Sequence, residues 1–318
     1  MDDPRRLHII CERDVGLFSL VQQVVANVPW ALAERRVPIV CFGARTCYWT
    51  PTGHRGKQTV WEYYFEPLVA THPAGRIPVE TSAVLLSEPP SASELGYEVG
   101  AGSFVSCHFG DHPDVSGGAL PIPYEWDDPS ESLRHEAKAV LDRFVRPRPY
   151  IRHQVDRFVA THMTGHHVVG VHLRGTDAVS AEELRAHRRG SLVLERYVAA
   201  IQRFLDVWPD ARILVASDAE FCVDHMRYAF PGRVIARDGV RHREGEAAGH
   251  GPTGWLMPAY IAGDRNVAAQ NGEDAVVEYL LLSRCDHLIH NGSSLARTVL
   301  LNVPNLPHTN THGRPSFS

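Results

Sequence analysis

The sequence predicts an α/β protein of two domains, in which parallel strands are covered by helices. Three observations lead to this prediction. Short apolar runs alternate with helical stripes along the 318-residue chain. Several of these runs are continuous and β-branched, as in strands buried on both faces. A seam at Arg146-Pro147-Arg148-Pro149 divides the chain, because its prolines remove backbone donors and stop the preceding helix.

The individual elements follow from the same patterns. Strands are expected at 7–11, 37–42, 83–87, 104–107, 168–173, 212–216, 233–236 and 286–290. Helices are expected from Ser19, where Ser19 and Gln22 form a capping box, and over 133–144, 197–208 and 274–283. The domains are placed at 1–148 and 149–305, followed by a polar, poorly ordered tail at 306–318. Segment 239–272 contains seven glycines and is predicted to be a long loop, either a lid or acceptor loop or an excursion without a role.

Composition excludes several classes of protein. The net charge is −5 and there is no Lys/Arg block, so the chain lacks the positive surface that a nucleic-acid backbone requires. None of the six cysteines forms a C-x-x-C pair, which indicates reduced core residues and no zinc site. The first residues lack the apolar region of a signal peptide, and no run reaches the ~18 apolar residues of a transmembrane segment. A cytoplasmic location is therefore expected.

The stretch from Val168 to Asp177 is the most informative. A buried strand runs to Leu173, and His172 and Arg174 are expected to point the same way because side chains alternate along a strand. Both lie at the carboxyl end of the strand, where open α/β sheets bind ligands. Arginine can hold a phosphate group through two parallel hydrogen bonds, and Asp177 can orient that arginine or tie down the turn. The alternative is a salt-bridged arginine beside a buried, satisfied histidine.

A second stretch, from Glu278 to Ser294, predicts a helix, a strand, a tight turn and another helix. Gly292 permits the sharp turn, and Ser293 and Ser294 begin the last helix. A helix N-terminus presents free N–H groups and partial positive charge, which suits a pyrophosphate. The alternative is that one serine merely caps the helix.

These two stretches resemble the motifs of the α1,6-fucosyltransferase family, which includes bacterial nodulation fucosyltransferases. His172-Leu-Arg174-Gly-Thr-Asp177 is similar to the family's H-x-R-R-T-D motif, and Ile213 to Asp218 is similar to its middle motif. The third motif is matched without a gap by Glu278, Leu282-Ser283, Asp286, Ser293-Ser294 and Arg297. The first half resembles the family only loosely, through Gly16-Leu-Phe-Ser19 and the aromatic run 61–65.

The resemblance implies a glycosyltransferase of the GT-B arrangement, in which two Rossmann-like domains face each other across a cleft. It also implies a GDP-sugar donor carrying L-fucose or a related hexose, inversion at the sugar carbon, and neither metal nor cofactor. The first domain would bind the acceptor and the second the donor. Acceptors would be glycans, lipo-oligosaccharides or natural products, with stacking surfaces or ordinary core residues at Trp49, Trp61, Tyr63 and Tyr64.

The resemblance also assigns roles to individual residues. Arg174 would bind the β-phosphate. Glu278 would recognise the guanine edge, because a carboxylate can accept hydrogen bonds from both of its N–H groups. The base that activates the acceptor would be Glu182, with Glu183 or Asp177 as rivals, although Glu182 also fits the first turn of a helix. The remaining donor-binding positions are His172, Ser217, Asp218, Ser293 and Ser294.

The chain departs from the family pattern at three positions. Gly175 replaces the second arginine of the motif, Ala178 stands where lysine is common, and Glu278 is one methylene longer than the usual aspartate. Two alternatives therefore stay open, namely a transferase for another nucleotide-sugar and a GDP-sugar-binding protein with weak or no transfer. A third alternative, a metalloenzyme, would use some of the 19 histidines, such as His108 with His112 or His162 with His166-His167, but these match no catalytic metal motif.

Overall fold

The computed structural model describes residues 7–13, 15–68, 104–106, 120–122, 128–175, 192–243, 248–250, 256–258 and 263–311. Its strands are β1 (Leu7–Cys11), β2 (Val37–Cys41), β3 (Phe104–Ser106), β4 (Val168–Leu173), β5 (Arg212–Ser217), β6 (Val234–Ile235), β7 (Ala248–His250), β8 (Leu256–Pro258), β9 (His287–His290) and β10 (His308–Asn310). Its helices are α1 (Leu17–Ala33), α2 (Val60–Tyr64), α3 (Glu131–Phe144), α4 (Pro149–Phe158), α5 (Leu194–Val207), α6 (Glu220–Ala229), α7 (Arg265–Leu282) and α8 (Ser294–Asn302), with a π-helical turn at Val159–Met163.

Two parallel sheets make up the framework of the described chain. The first has the strand order β2-β1-β3, and the second has the order β10-β9-β4-β5-β6. The strands β7 and β8 form a separate antiparallel pair. The predicted α/β class is therefore confirmed, and the sheets lie on either side of the Pro147–Pro149 seam in sequence. The domain boundary at residue 148 stays a prediction.

Strand β4 is the centre of the second sheet. All six of its residues are buried, since it pairs with β5 on one side and β9 on the other. Gly170 lets the covering helix approach closely, because a Cβ there would lie 2.8 Å from Leu282 Cδ2 and 2.9 Å from Cys285 Sγ. The register aligns Leu173 with Ser217, so the loops after β4 and β5 leave the sheet side by side.

Helices α1, α3 and α8 join the two halves of the chain. Buried apolar residues of α1 and α3 belong to one hydrophobic cluster with those of α7 and α8. The contact between α1 and α8 is also polar: Ser19 Oγ lies 2.9 Å from Ser294 Oγ, and Gln22 Nε2 donates to the Ser294 carbonyl at 2.9 Å. The start of α8 is therefore fixed against the first half of the chain.

Three sequence predictions were wrong in their local detail. Ser19 does not cap a helix: α1 begins at Leu17 after Gly16, so Ser19 lies inside the first turn. The loop predicted to reach residue 272 ends earlier, because Asp264 accepts hydrogen bonds from the N–H groups of Asn266 and Val267 and starts α7 at Arg265. Residues 308–310 are not a disordered tail, since they form β10 and pair with β9.

The predicted strand at 83–87 lies outside the described residues. None of the described helices, α1 to α8, is long and apolar enough to cross a membrane.

Candidate functional site

The carboxyl end of β4 and the N-terminus of α8 meet through one hydrogen bond. Ser293 caps α8, its Oγ accepting the Ala296 N–H at 3.2 Å, and the same oxygen lies 3.1 Å from His172 Nδ1. Burial, with smaller effects from the charges of Arg174 and His290, lowers the pKa of His172 to about 3. His172 is therefore a neutral imidazole near pH 7, and it joins the first motif of the sequence to the third.

The turn before α8 adopts a conformation that glycine favours. Gly292 has φ +75°, and its N–H donates to His290 Nδ1 at 2.9 Å. Ser294 follows at the first helical position, half-buried, with its carbonyl accepting from Thr298 Oγ1 at 2.7 Å. The turn thus presents the positive end of α8 at the carboxyl edge of the second sheet.

Arg174 reaches from the second sheet towards the first half of the chain. The guanidinium comes close to the start of α1, since a Cβ on Gly16 would lie 3.9 Å from Arg174 Nη1. Gly16 is the N-cap of α1 and offers no side-chain acceptor. Arginine charge and a helix N-terminus therefore lie together, an arrangement that attracts an anion.

Ser217 and Asp218 connect the loops that follow β4 and β5. Asp218 Oδ1 accepts the Gly175 N–H at 2.7 Å, and Ser217 Oγ accepts the Ala219 N–H at 3.2 Å. A Cβ on Gly175 would lie only 2.6 Å from Ala219 Cβ. This close approach explains the departure from the H-x-R-R-T-D pattern, because the side chains of Ala219 and Cys222 leave no room for an arginine at position 175.

Glu278 lies half-buried on α7, close to the end of β5. Burial raises the pKa of its carboxyl group to about 7; the charges of Arg241 and Arg237 oppose this shift, while those of Asp274 and Asp218 add to it. Arg241 is held by the Ser217 carbonyl at 3.1 Å, and Arg237 Nη1 lies 3.2 Å from Asp274 Oδ1. The structure therefore gathers acidic and basic groups around Glu278.

Sequence reasoning missed Arg237 and Arg241. Arg241 lies in segment 239–272, which was interpreted only as a glycine-rich loop, and Arg237 lies just before that segment. Their position directly after β6, at the same edge of the sheet as His172 and Ser217, is the signal that could have identified them.

The remaining predicted residues have different outcomes. Asp177, Glu182 and Glu183 lie outside the described residues, so their roles stay predictions. Trp61, Tyr63 and Tyr64 are at most 2% exposed and pack in the core, so the structure favours ordinary core residues over stacking surfaces for these three. Trp49 is half-buried and packs against the same core.

The histidines proposed for a metalloenzyme do not converge where the structure describes them. His162 packs against the Phe158 ring at 4.6 Å, and His167 stacks on Trp208 at 3.6 Å. His108 and His112 lie outside the described residues.

Comparisons with known proteins agree on one family. The model of the Nodulation protein Z (NodZ) family matches residues 133–306, which is more than half of the chain. No curated protein matches the chain.

Similar solved structures cover nearly the whole chain. A NodZ alpha-1,6-fucosyltransferase soaked with GDP-fucose aligns with TM-score 0.55 and 18% identity over 94% of each chain. The fucosyltransferase NodZ from Bradyrhizobium aligns with TM-score 0.54 and 16% identity over 93% of each chain. POFUT1 in complex with GDP aligns with TM-score 0.53 and 15% identity, covering 99% of this chain and 100% of that one. These alignments confirm the predicted two-domain, GT-B-like fold, and with the family match they show that the chain belongs to the NodZ family.

Proposed function

We propose that the chain is an inverting, metal-independent fucosyltransferase that moves L-fucose, or a related hexose, from a GDP-sugar to a hydroxyl group of a glycan, lipo-oligosaccharide or small-molecule acceptor. One observation carries the proposal: in a member of the NodZ family, Arg174 and the starts of α1 and α8 converge at the carboxyl edge of the second sheet. Two solved proteins of similar fold support this donor: a NodZ alpha-1,6-fucosyltransferase soaked with GDP-fucose, and POFUT1 in complex with GDP. Residues 149–305 would bind the donor and residues 1–148 the acceptor.

The diphosphate is the chemical group that this convergence fits best. The N-terminus of α8 offers N–H groups and partial positive charge, and Arg174 can add a forked pair of donors. As the bond to the sugar breaks, negative charge grows on the departing GDP. Fixed positive groups that already face this charge stabilise it without reorganising. The protein itself can therefore do the work that a metal ion does in other transferases.

His172 contributes a directed hydrogen bond rather than a charge. Because Ser293 Oγ accepts the Ala296 N–H, its own O–H can donate a hydrogen bond to Nδ1 of the neutral His172. The ring proton of His172 then lies on Nε2, where it can be donated to an oxygen of the nucleotide. Ser293, Ser294, Ser217 and Asp218 complete the donor side, directly or by holding their loops.

Glu278 is proposed to select guanine, since an ionised carboxylate accepts from both N–H groups of the guanine edge. Glu182 is proposed as the base that removes the proton from the acceptor hydroxyl, and Asp177 is proposed to orient Arg174. An acid five residues after Asp177 in a matching motif supports the assignment of Glu182.

Calorimetry with GDP, UDP, ADP and TDP in the presence of EDTA tests the proposal. We expect GDP to bind most tightly, and we expect Arg174→Ala to weaken binding at least tenfold and to lower the transfer rate by about a hundredfold or more. Arg227→Ala is the matched control, because Arg227 is exposed on α6 and pairs with Asp224 at 3.3 Å. A preference for UDP or TDP would contradict guanine selection by Glu278. GDP binding without transfer to any acceptor would favour a binding protein.

A further inference from the structure

A cluster of ionisable side chains lies behind the turn that begins α8. Its members are Asp128, which precedes α3, Arg134 on α3, His290 at the end of β9 and His308 on β10. We propose that Asp128 and His290 are positioning residues, which fix the turn at Gly292 and so hold the phosphate-binding end of α8 in place. The expected effect on GDP binding rests on the proposed function, whereas the contacts that join Asp128, His290 and Gly292 do not depend on it.

His290 is the link between the cluster and the turn. Its side chain is fully buried, and Nδ1 accepts the Gly292 N–H at 2.9 Å. A backbone N–H can only donate, so Nδ1 must offer its lone pair and the ring proton must lie on Nε2. That nitrogen lies 3.5 Å from Asp128 Oδ1. The carboxylate therefore favours the one tautomer of His290 that can hold the turn.

Asp128 is itself held by the second sheet. Asn310 Nδ2 donates to Asp128 Oδ1 at 3.0 Å, and His308 Nε2 lies 3.3 Å from Asp128 Oδ2. Burial opposes ionisation of Asp128, but the hydrogen bond with His308 and the charges of His290 and His308 outweigh it, so the pKa of Asp128 is lowered. The aspartate is thus a carboxylate at neutral pH, as the tautomer argument requires.

The charge state of His290 agrees with this role. Burial lowers the pKa of His290 to about 4; Asp128 opposes the shift, while His308, Arg134 and His287 add to it. The imidazole is therefore neutral near pH 7 and keeps an acceptor for the Gly292 N–H. From that turn the contact continues through Ser293 to His172 in the donor site.

The same residues could be mistaken for a metal site, since ligand atoms of Asp128, His290 and His308 lie within 4.8 Å of one another. A metal requires a free lone pair on His290 Nε2, but that nitrogen carries the proton while Nδ1 accepts from Gly292. Arg134 Nη2 lies 3.3 Å from His308 Nε2 and supplies positive charge in the cluster. Asp128 and His308 also lie outside residues 133–306, so the family match does not account for them.

The test compares two substitutions of His290 that differ in one property. Asparagine at this position can still offer an acceptor close to the site of Nδ1, whereas leucine cannot. We expect His290→Leu to weaken GDP binding by about tenfold, because the hydrogen bond that holds the Gly292 turn is lost. His290→Asn should recover most of that loss. Asp128→Asn should weaken binding by a smaller factor. His287→Asn is the matched control on the same strand, because His287 contacts Thr309 at 2.9 Å and should leave GDP binding unchanged.

Hydrogen exchange of the Gly292 amide separates this inference from the proposed function. Measured without ligand, exchange should be faster in His290→Leu than in wild type and should be slow again in His290→Asn. If wild type does not bind GDP, the proposed function fails while the exchange data still decide the role of His290. Equal Gly292 exchange in wild type and His290→Leu would overturn the inference. So would a rise in melting temperature with Zn²⁺ that His308→Ala abolishes, because it would assign the cluster to a metal.

Discussion

At the scale of single residues, the carboxyl group of Glu278 makes the proposed site sensitive to pH. Its pKa is raised to about 7 from an ordinary value of 4.5, mainly by burial. Only the ionised form can accept hydrogen bonds from both N–H groups of a guanine edge, so the proposed role of Glu278 requires GDP to bind that form. GDP affinity is therefore predicted to rise as pH increases from 6 to 8, with proton release near pH 6. Calorimetry in buffers of different ionisation enthalpy measures both effects.

Glu278→Gln serves as the control for this prediction. The amide does not titrate, so the variant should bind GDP more weakly and with little dependence on pH across the same interval. A wild-type affinity that stays constant from pH 6 to 8 would contradict the role of Glu278.

Gly175 illustrates how packing can replace a motif residue. Because its Cβ would lie 2.6 Å from Ala219 Cβ and 3.1 Å from Cys222 Sγ, Gly175→Ala is predicted to destabilise the protein by about 1–3 kcal/mol. Ala219→Gly removes the nearest atom, so the double variant should recover part of the loss. Urea unfolding of the four proteins gives the coupling free energy. Gly263→Ala is the control, since a Cβ there meets nothing within 4 Å; equal effects at both positions would contradict the packing argument.

The candidate-site residues that sequence could identify are those that lie in a short motif beside a predictable strand or helix. His172 lies near the end of β4 and Arg174 follows that strand, while Ser293 and Ser294 begin α8; the hydrophobic pattern alone predicts both elements. The contacts of Arg241 with Ser217, and of Asp128 with His290, join positions far apart in the chain. They depend on the order of strands in the sheet, which the pattern of one strand does not specify.

At the scale of elements, helix α7 contains a glycine that its own propensity disfavours. A Cβ on Gly272 would lie 2.2 Å from Tyr64 Oη and 2.6 Å from Tyr64 Cζ, and the tyrosine hydroxyl donates to the Ala269 carbonyl at 2.8 Å. Gly272→Ala should therefore destabilise the protein, although alanine favours an isolated helix by about 1 kcal/mol. Tyr64→Phe in that background should restore only part of the stability, since Cζ remains. Thermal unfolding of the series tests this, and a stabilised Gly272→Ala would contradict it.

The same helix shows where element prediction succeeds and fails. Buried strands such as β4 were predicted to the residue, because a continuous apolar run has few other uses. The first part of α7 was missed because Gly272 and the glycines before it resemble a loop, while its actual signals, the Asp264 cap and the contact with Tyr64, are a single residue and a tertiary contact. Strand β10 was missed because its three residues are polar and half-buried.

At the scale of the whole molecule, two separate sets of polar contacts connect the two halves of the chain. One set joins α1 to α8 through Ser19 and Gln22. The other surrounds Glu273 on α7. The apolar pattern predicted an α/β chain with a seam, but it could not predict these contacts, because the partners are up to 276 residues apart. The halves are thus joined beside the proposed donor site.

Glu273 gives this connection a measurable pH dependence. Its fully buried carboxylate lies 2.8 Å from His54 Nε2, and it accepts from Arg55 Nη2 at 2.9 Å and Gln154 Nε2 at 2.7 Å. Burial alone would raise its pKa, but these hydrogen bonds and the charge of Arg55 lower it to about 2. Because the folded pKa is below the ordinary value of 4.5, the carboxylate stabilises the fold above about pH 5, and this contribution is lost as pH falls towards 2.

Glu273→Gln should therefore lower the free energy of unfolding by about 2 kcal/mol at pH 7, the effect expected for hydrogen bonds to a charged group. The difference from wild type should shrink as pH falls and vanish near pH 2, where the wild-type carboxyl group becomes protonated. Urea unfolding at pH 7, 5 and 3 measures this convergence, with Glu136→Gln on the exposed face of α3 as the control. If the difference between wild type and Glu273→Gln is the same at pH 7 and pH 3, the stabilisation does not come from the ionised carboxylate, and the connection between the halves must rest on packing instead.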